Sequence, residues 1–518
     1  MFEKKLADTR TRFAPSPTGH IHIGSLRTAL FNYLFARQQH GQFILRIEDT
    51  DKERSRLEWE YELLKVFEWL GINWDEGPVL SDNQIFDTNY SIKYIGPYAP
   101  YRQSERKLIY RKYLEQMLAQ GTAYYCFCKK EDVEAEKQYL MSIGEAPVYR
   151  GKCRNLTQEQ IHNFKKAGQP SVIRFKCPPN RKIIFKDIIK GSVEFNSDIL
   201  GDFVIAKDLD NPLYNFTVIV DDAEMKISHI IRGDEHLSNT PKQLLLIEAL
   251  GFEVPQYAHI PLILGPDKKK LSKRDNKTSV KDYQEDGYLP EALINFIAFL
   301  GWNPGTEKEI YSLEELIQDF SLEKIQKSGA IFNLEKLDWL NGFYIRKKSL
   351  PELTEMLIPY WEKAGFIEEK AADLYIIKAT GESIIFNDLI KIAALEQERL
   401  KKLSNIIALT DLFFVSELKY EPELLIWKDM SKEELIKSLE ISKEILTNID
   451  PADFNKKRLE EELMPIAEKM DNRGNLLWPL RVALTGKKNS AGPFEVAEIL
   501  GKEKCLLRIN QALDLINL

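Results

Sequence analysis

Nowhere does the sequence hold an uninterrupted apolar run of the roughly twenty residues that a membrane-spanning helix needs, and no membrane association is expected. The first residues, MFEKKLADTRTRF, lack the apolar centre of a secretory signal, which makes the cytoplasm the expected location. Cysteine is scarce: Cys126, Cys128, Cys153, Cys177 and Cys505 are odd in number and clustered, unlike the framework of a secreted disulfide scaffold. There is no internal repeat and no low-complexity tract, which argues against a solenoid or a long disordered segment. An excess of positive charge is also missing. The formal net charge of −7 argues against a histone-like basic coat, although a local basic face can act beneath an acidic total. At 518 residues the chain is too long for one hydrophobic core, so several domains are expected.

What is present begins with TRTRFAP, which reads as a short strand stopped by Pro15 and Pro17. In SLRTALFNYLFARQQHG the apolar residues Leu26, Ala29, Leu30, Tyr33 and Leu34 recur at helical spacing, with Gly41 as the expected stop. QFILRIEDTD then predicts a second strand, so strand, helix and strand form a βαβ unit with parallel strands. SRLEWEYELLKVFEWLGI predicts an amphipathic helix. From residue 108 the pattern is mixed, with a β-rich run through SVIRFKCPP, KIIFKDIIKGSVEF and DFVIAKDLDNPLYNFTVIVDD. Helix–strand alternation returns around TPKQLLLIEALGFEVPQYAHIPLILGPDKKKLSKR, as if the middle section were inserted into one α/β domain. Beyond residue 280 helices dominate, and the carboxy-terminal third is expected to be all-α.

In an open α/β sheet, ligands bind at the carboxyl ends of the strands. That rule gathers Arg12, Ala14 and Ser16 on one rim with Glu48, Asp49 and Asp51, and sets His22 and Gly24 where the first helix starts. A helix start carries unpaired N–H groups and the positive end of a dipole, and glycine allows close approach of an anion. Such a rim suits a zwitterionic small molecule beside a nucleotide; the alternative is that Arg12 and Glu48 are a surface pair of little value. Two other readings of PTGHIHIGS fail. A phosphate loop needs Lys after its second glycine, where Ser25 stands. A metal at His20 and His22 has no third ligand nearby except the acids at the next strand's end.

GPDKKKLSKRDNKTS concentrates Lys268, Lys269, Lys270, Lys273, Arg274 and Lys277 in one short loop. It is either a solvated charge run or a loop whose ammonium groups meet phosphate as charge builds on it. PSPTGHIHIG followed by KLSKR resembles the two signatures of the class I aminoacyl-tRNA synthetases. RFAPSPTG, FNYLFARQQHGQFILRIEDTD, PYRQSER, IIRGDEHLSNTPKQ and RVALTGKKNSAGPFEVAEILGK, in that order, resemble the bacterial-type glutamyl branch across nearly the whole chain.

The resemblance implies an α/β fold: a Rossmann-type parallel-sheet catalytic domain split by an inserted acceptor-binding α+β domain, then an all-α anticodon-binding region. The boundaries expected are 1–107 and 211–275 for the two catalytic halves and 108–210 for the insertion. Residues 276–350 would contact the tRNA stem, and 351–518 would form the all-helical anticodon-binding part. It implies that His22, Gly24 and Ser25 bind ATP together with Lys270, Lys273 and Arg274, and that His22, Lys270 and Lys273 are catalytic; His20 falls where the family fixes no residue. It assigns L-glutamate to Arg12, Ala14, Ser16, Glu48, Tyr214 and Arg232, and it implies ATP with Mg²⁺, tRNA(Glu) as partner, a monomer, and activation that waits for bound tRNA. The chemistry agrees, since Glu48 can hold an ammonium while Arg12 and Arg232 can each fork onto a carboxylate.

Cys126-Phe127-Cys128 and Cys153 fall in the inserted region. Three thiolates suggest zinc, but a tetrahedral site needs a fourth ligand. Zinc-binding family members carry histidine where this chain has Asn155, and Tyr149 can complete the set. The alternative is three ordinary thiols. A glutaminyl enzyme is the nearest rival, but it usually carries β-barrel anticodon domains where this tail reads helical. A glutamyl-queuosine enzyme or a pantothenate synthetase would not need that tail, and a non-catalytic homologue would not need the complete residue set.

Overall fold

The computed structural model describes residues 8–81, 92–271 and 278–517. Its first elements follow the expected βαβ order: β1 (Arg10–Phe13), α1 (Ile23–Gln38) and β2 (Gln42–Leu45). β1 and β2 run parallel, with Arg12 opposite Ile44. α1 is buried nearly all round, on Leu26, Ala29, Leu30, Phe31 and Leu34 among others, and packs against β1, β2 and the helix Pro290–Ala298. Each such large apolar side chain contributes about 1.5–3 kcal/mol. The helix does not end on Gly41: His40 takes the left-handed conformation, at φ 51°. Gly41 is needed for another reason, because a Cβ there would lie 2.1 Å from the carbonyl oxygen of Thr9.

The amphipathic helix follows as α2 (Leu57–Leu70), and residues beyond it return alongside β2 through Ile44 and Glu76. The alternation expected later in the chain is also present: α3 (Tyr214–Glu224), β3 (His229–Gly233), α4 (Thr240–Leu250) and β4 (Gln256–Ile260), with β3 and β4 parallel. β3 adjoins β1, where the Ser228 N–H donates to the Arg10 carbonyl over 3.0 Å and Asn32 Nδ2 reaches the Ile231 carbonyl over 2.9 Å. The parallel pair β1–β2 and the sheet of β3 and β4 thus lie side by side, meeting where β1 adjoins β3. That is the switch point at which an open α/β sheet leaves a crevice.

Two parts differ from expectation. YNFTVIVDD, read as part of a β-rich run, is the helix α3. Phe216 through Asp222 are all buried, so the helix shows no polar face, and its β-branched residues mimic a strand. Lys182–Asp187, expected inside the inserted region, lies along the far edge of β4, with Asp187 opposite Tyr257. Between the two halves stand a small antiparallel sheet (Ala123–Cys126, Val172–Phe175, Val204–Ala206) and the helices Lys130–Ser142 and Gln158–Lys166.

Residues 285–289 and 337–518 form a second compact unit. Most of it is helical, with Lys432–Asn448, Gly474–Thr485 and Lys502–Asn517 packed on one another. The all-helical expectation for 351–518 is corrected by a three-stranded antiparallel meander, Ile367–Ala371, Leu374–Ile377 and Ser383–Ile385. Its turns fall at Asp373, φ 61°, and Gly381, φ 74°, and alternate residues Tyr375 and Ile377 are buried, a period of two that charged neighbours obscure. No helix among the described residues is long and apolar enough to cross a membrane.

Replacing Gly41 by alanine should destabilise the first unit by about 1–3 kcal/mol, because the added methyl meets backbone. Gly251→Ala, which meets open space at φ 69°, should cost about 1 kcal/mol. Thermal unfolding of both variants checks the order, and equal shifts would contradict it.

Candidate functional site

A cavity of about 850 Å³ opens at the carboxyl ends of β1 and β3. It brings together Arg12, Ala14, Ser16, Glu48, Tyr214 and Arg232 with His22, Gly24, Ser25 and Lys270, residues drawn from both halves of the sheet. Lys273 and Arg274 lie outside the described residues.

At one end the cavity meets the start of α1. His22 is its N-cap: Nδ1 accepts from the Ser25 N–H over 3.4 Å, and Nε2 lies 3.3 Å from Ser25 Oγ. No acidic residue occupies the first turn to offset the positive end of the helix dipole from within the helix. The lysine-rich loop is tied down on both sides. Ile263 to Leu271 form a tight turn closed by Gly265 N–H to Lys269 O (2.8 Å) and Leu271 N–H to Ile263 O (3.0 Å). On the far side, Ile23 N–H donates to Thr278 O (3.0 Å) and Val280 N–H to Ile21 O (2.9 Å), so backbone bonds zip the HIHIG stretch to the residues after KLSKR. His20 also borders the cavity, but it is engaged by other groups, its Nδ1 2.6 Å from Glu62 Oε1 and its ring against Trp59.

At the other end lies a buried ionic network that sequence reading missed in part. Arg12 places Nε and Nη2 3.0 and 3.3 Å from the two carboxylate oxygens of Asp222. Arg46, wholly buried, donates to Asp222 over 2.7 Å and to Glu48 over 3.2 Å. Asp222 is buried, which alone would raise its pKa, but Arg12 and Arg46 outweigh that and hold it below the usual carboxylate range. For Glu48 burial prevails over Arg46 and Arg12, and its pKa stands above the ordinary value. Asp221 sits one step away, bonded by Arg106 Nε (2.7 Å), Tyr110 Oη (2.8 Å) and Gln103 Nε2 (2.8 Å). Nothing in the local sequence of Arg46, Asp221 or Asp222 marks them, because their partners are distant in the chain.

Arg232, 5% exposed, donates from Nε to His259 Nε2 (3.2 Å) and from Nη2 to Thr240 Oγ1 (2.9 Å). Its Nη1 is buried and has no hydrogen-bond partner among the described residues. Tyr214 Oη lies 3.1 Å from His236 Nδ1. Burial, helped by the charge of Arg232, pushes His236 down to about 4, so it is neutral at pH 7. Among the charges that complete the lining, Arg27 and Glu235 attract one another, and Lys270 adds a further positive charge.

The Sγ atoms of Cys126, Cys128 and Cys153 all lie within 4.8 Å of one another, with Cys128 and Cys153 3.5 Å apart. Tyr149 Oη stands 3.4 Å from Cys126 Sγ and 3.3 Å from Cys128 Sγ. Thiolates about 2.3 Å from a tetrahedral zinc would be roughly 3.8 Å apart, so this donor set fits zinc. The Arg174 guanidinium covers the Tyr149 ring at 4.1 Å.

A family profile for class I tRNA synthetases (E and Q), catalytic domain, matches residues 8–339, and one for an anticodon binding domain matches residues 352–513. The chain is 47% identical to glutamate–tRNA ligase 1 of Caldicellulosiruptor saccharolyticus, over 97% of this chain and 98% of that protein. It is 43% identical to the glutamate–tRNA ligase of Carboxydothermus hydrogenoformans, over 96% and 98%. A crystal structure of a glutamate tRNA ligase from Elizabethkingia meningosepticum, in complex with its amino acid, superposes with a TM-score of 0.82 at 34% identity, covering 98% of this chain and 99% of that one.

Replacing Asp222 by alanine should destabilise the first unit by about 3–5 kcal/mol, since two buried guanidinium groups lose their carboxylate. A carboxylate held low in the folded state contributes stability above its unfolded pKa and loses it as pH falls through the folded value. Comparison of wild type and variant should therefore show the full gap at pH 7 and a shrinking one below roughly pH 4.

Proposed function

The chain belongs to the class I tRNA synthetases of the glutamate and glutamine type, and from that membership and the charge of its cavity we infer that it is a glutamate–tRNA ligase. The reaction is attack of the α-carboxylate of L-glutamate on the α-phosphorus of ATP, with pyrophosphate leaving, then transfer of the glutamyl group to the 3′ end of tRNA(Glu) with release of AMP.

The observation that carries the amino-acid assignment is the free edge of Arg232. Arg12 and Arg46 are engaged by Asp222 and Glu48, and Asp221 by Arg106, whereas Arg232 touches no carboxylate directly and its Nη1 is buried without a hydrogen-bond partner among the described residues. A side-chain carboxylate meets a guanidinium with opposite charge, which the neutral amide of glutamine does not. Glu48 holds the substrate ammonium, Arg232 offers its unpartnered Nη1 to a carboxylate, and Tyr214, Ala14 and Ser16 shape the walls. Arg12, with two nitrogens engaged by Asp222, contributes charge and its remaining edge rather than a whole fork.

ATP takes the end formed by α1. The positive dipole end of that helix faces the phosphates, and Gly24 lets them come close. His22, Lys270 and, from the loop that follows, Lys273 and Arg274 supply donors and positive charge where negative charge grows on the α-phosphate. Acceleration comes from positioning and charge stabilisation, with no protein nucleophile. Mg²⁺ would come with the nucleotide substrate and would supply positive charge to the leaving pyrophosphate. A cytoplasmic monomer, with an inserted region holding the acceptor end and residues 352–513 the anticodon, completes the reading. In the inserted region Cys126, Cys128 and Cys153, with Tyr149 as the fourth donor, would hold zinc, which would cross-link the end of the strand Ala123–Cys126 to the segment of Tyr149 and Cys153 without taking part in the chemistry.

Aminoacylation of purified tRNA(Glu) and tRNA(Gln) with labelled glutamate and ATP tests the function. Charging of tRNA(Glu) is expected, charging of both would make the enzyme a non-discriminating one, and charging of neither would refute the reading. His22→Ala should lower adenylate formation by about 10²–10³-fold while leaving tRNA binding within twofold; equal losses would contradict its role. Elemental analysis of purified protein should find about one zinc per chain, lost in Cys128→Ser, and a metal-free wild type would refute the zinc assignment.

A further inference from the structure

Arg232 is held from behind by residues that do not line the cavity. It stands on β3 directly opposite His259 on β4, and β4 is flanked on its other edge by the strand that ends at Asp187. His259 and Asp187 have wholly buried side chains, with Nδ1 and Oδ2 2.6 Å apart. The Arg232 Nε–H can only donate, so His259 Nε2, 3.2 Å away, must accept, and the imidazole proton must lie on Nδ1 toward Asp187. Asp187 is fixed in turn: its Oδ1 accepts the N–H groups of Ile189 (2.9 Å) and Lys190 (2.7 Å), and its Oδ2 that of His259 (3.1 Å). The Tyr257 ring lies parallel to the imidazole, at 5° and 6.0 Å, and under the guanidinium at 5.6 Å.

We propose that His259 and Asp187 are positioning residues for the substrate carboxylate: Asp187 fixes the His259 tautomer, and His259 with Thr240 orients Arg232 so that Nη1 faces the cavity. The proposal rests on the reading of the cavity as a glutamate site. Burial keeps His259 below its ordinary pKa, hence neutral. Burial alone would raise Asp187, but the His259 hydrogen bond and the backbone N–H groups hold it low, hence ionised. Because Asp187 sits in the segment between the two halves of the sheet, that segment helps to build the amino-acid pocket.

The test is steady-state aminoacylation of tRNA(Glu) by the full chain, with KM measured separately for glutamate and ATP. His259→Leu should raise the glutamate KM at least tenfold and leave the ATP KM within twofold. His259→Gln, whose amide oxygen can accept the Arg232 Nε–H, should recover most of the loss, and Asp187→Asn, which frees the tautomer, should fall between. An unchanged glutamate KM in His259→Leu, an equal rise for ATP, or no recovery in His259→Gln would overturn the proposal. Should His259→Leu fail to fold, His259→Gln and Asp187→Asn keep polar groups of similar size and carry the same comparison; a wild-type glutamate KM in Asp187→Asn then overturns it. A wild-type chain that charges no tRNA with glutamate would refute the underlying reading instead.

Discussion

The buried contact between Arg12 and Asp222 joins residues 210 positions apart, and the cavity depends on it. Arg12 lies near the end of the strand Arg10–Phe13 in one half, and Asp222 in the last turn of the helix Tyr214–Glu224 that opens the other. Taking either charge out of water alone would cost several kcal/mol, so each is stable there only with its partner present. Arg46 then shares Asp222 and reaches Glu48, and the four groups form a buried, hydrogen-bonded floor. A purely apolar core could hold the two halves together as well. It could not line the cavity with guanidinium groups, which a substrate carboxylate can meet with opposite charge.

The other end of the cavity is built on the same logic of distant closure, with backbone in place of charge. The HIHIG stretch cannot by itself surround a triphosphate, and neither can the lysine-rich loop. Hydrogen bonds from Ile23 to Thr278 and from Val280 to Ile21 bring the two together, so the loop's flanks are pinned and Lys270 lines the same cavity as His22. His22 links cap and cavity: it ends the helix geometrically and lines the space where phosphate would lie.

The first βαβ unit and the later return of helix–strand alternation were legible in the sequence because their apolar periods are clean. α3 was not, since a helix buried on every side has no period to read, and Val218, Ile219 and Val220 favour the wrong answer. The meander at 367–385 was hidden by charged residues on its exposed positions. Among site residues, those in compact motifs such as His22, Gly24 and Glu48 could be named from the chain alone. Asp222, Arg46, His259 and Asp187 could not, because their meaning lies in pairings between strands and helices far apart in sequence. The cysteine cluster was visible as a spacing, but only the folded chain brings the Tyr149 hydroxyl among the sulfurs.

The central claim is that the guanidinium groups at the amino-acid end of the cavity, with the unpartnered Nη1 of Arg232, select an anionic side chain over a neutral one. The most direct measurement is the ratio of kcat/KM for glutamate to that for glutamine in ATP–pyrophosphate exchange with tRNA bound. A site whose buried polar groups are left unmatched by the wrong substrate should reject it by about a hundredfold or more. A ratio near one would contradict the account.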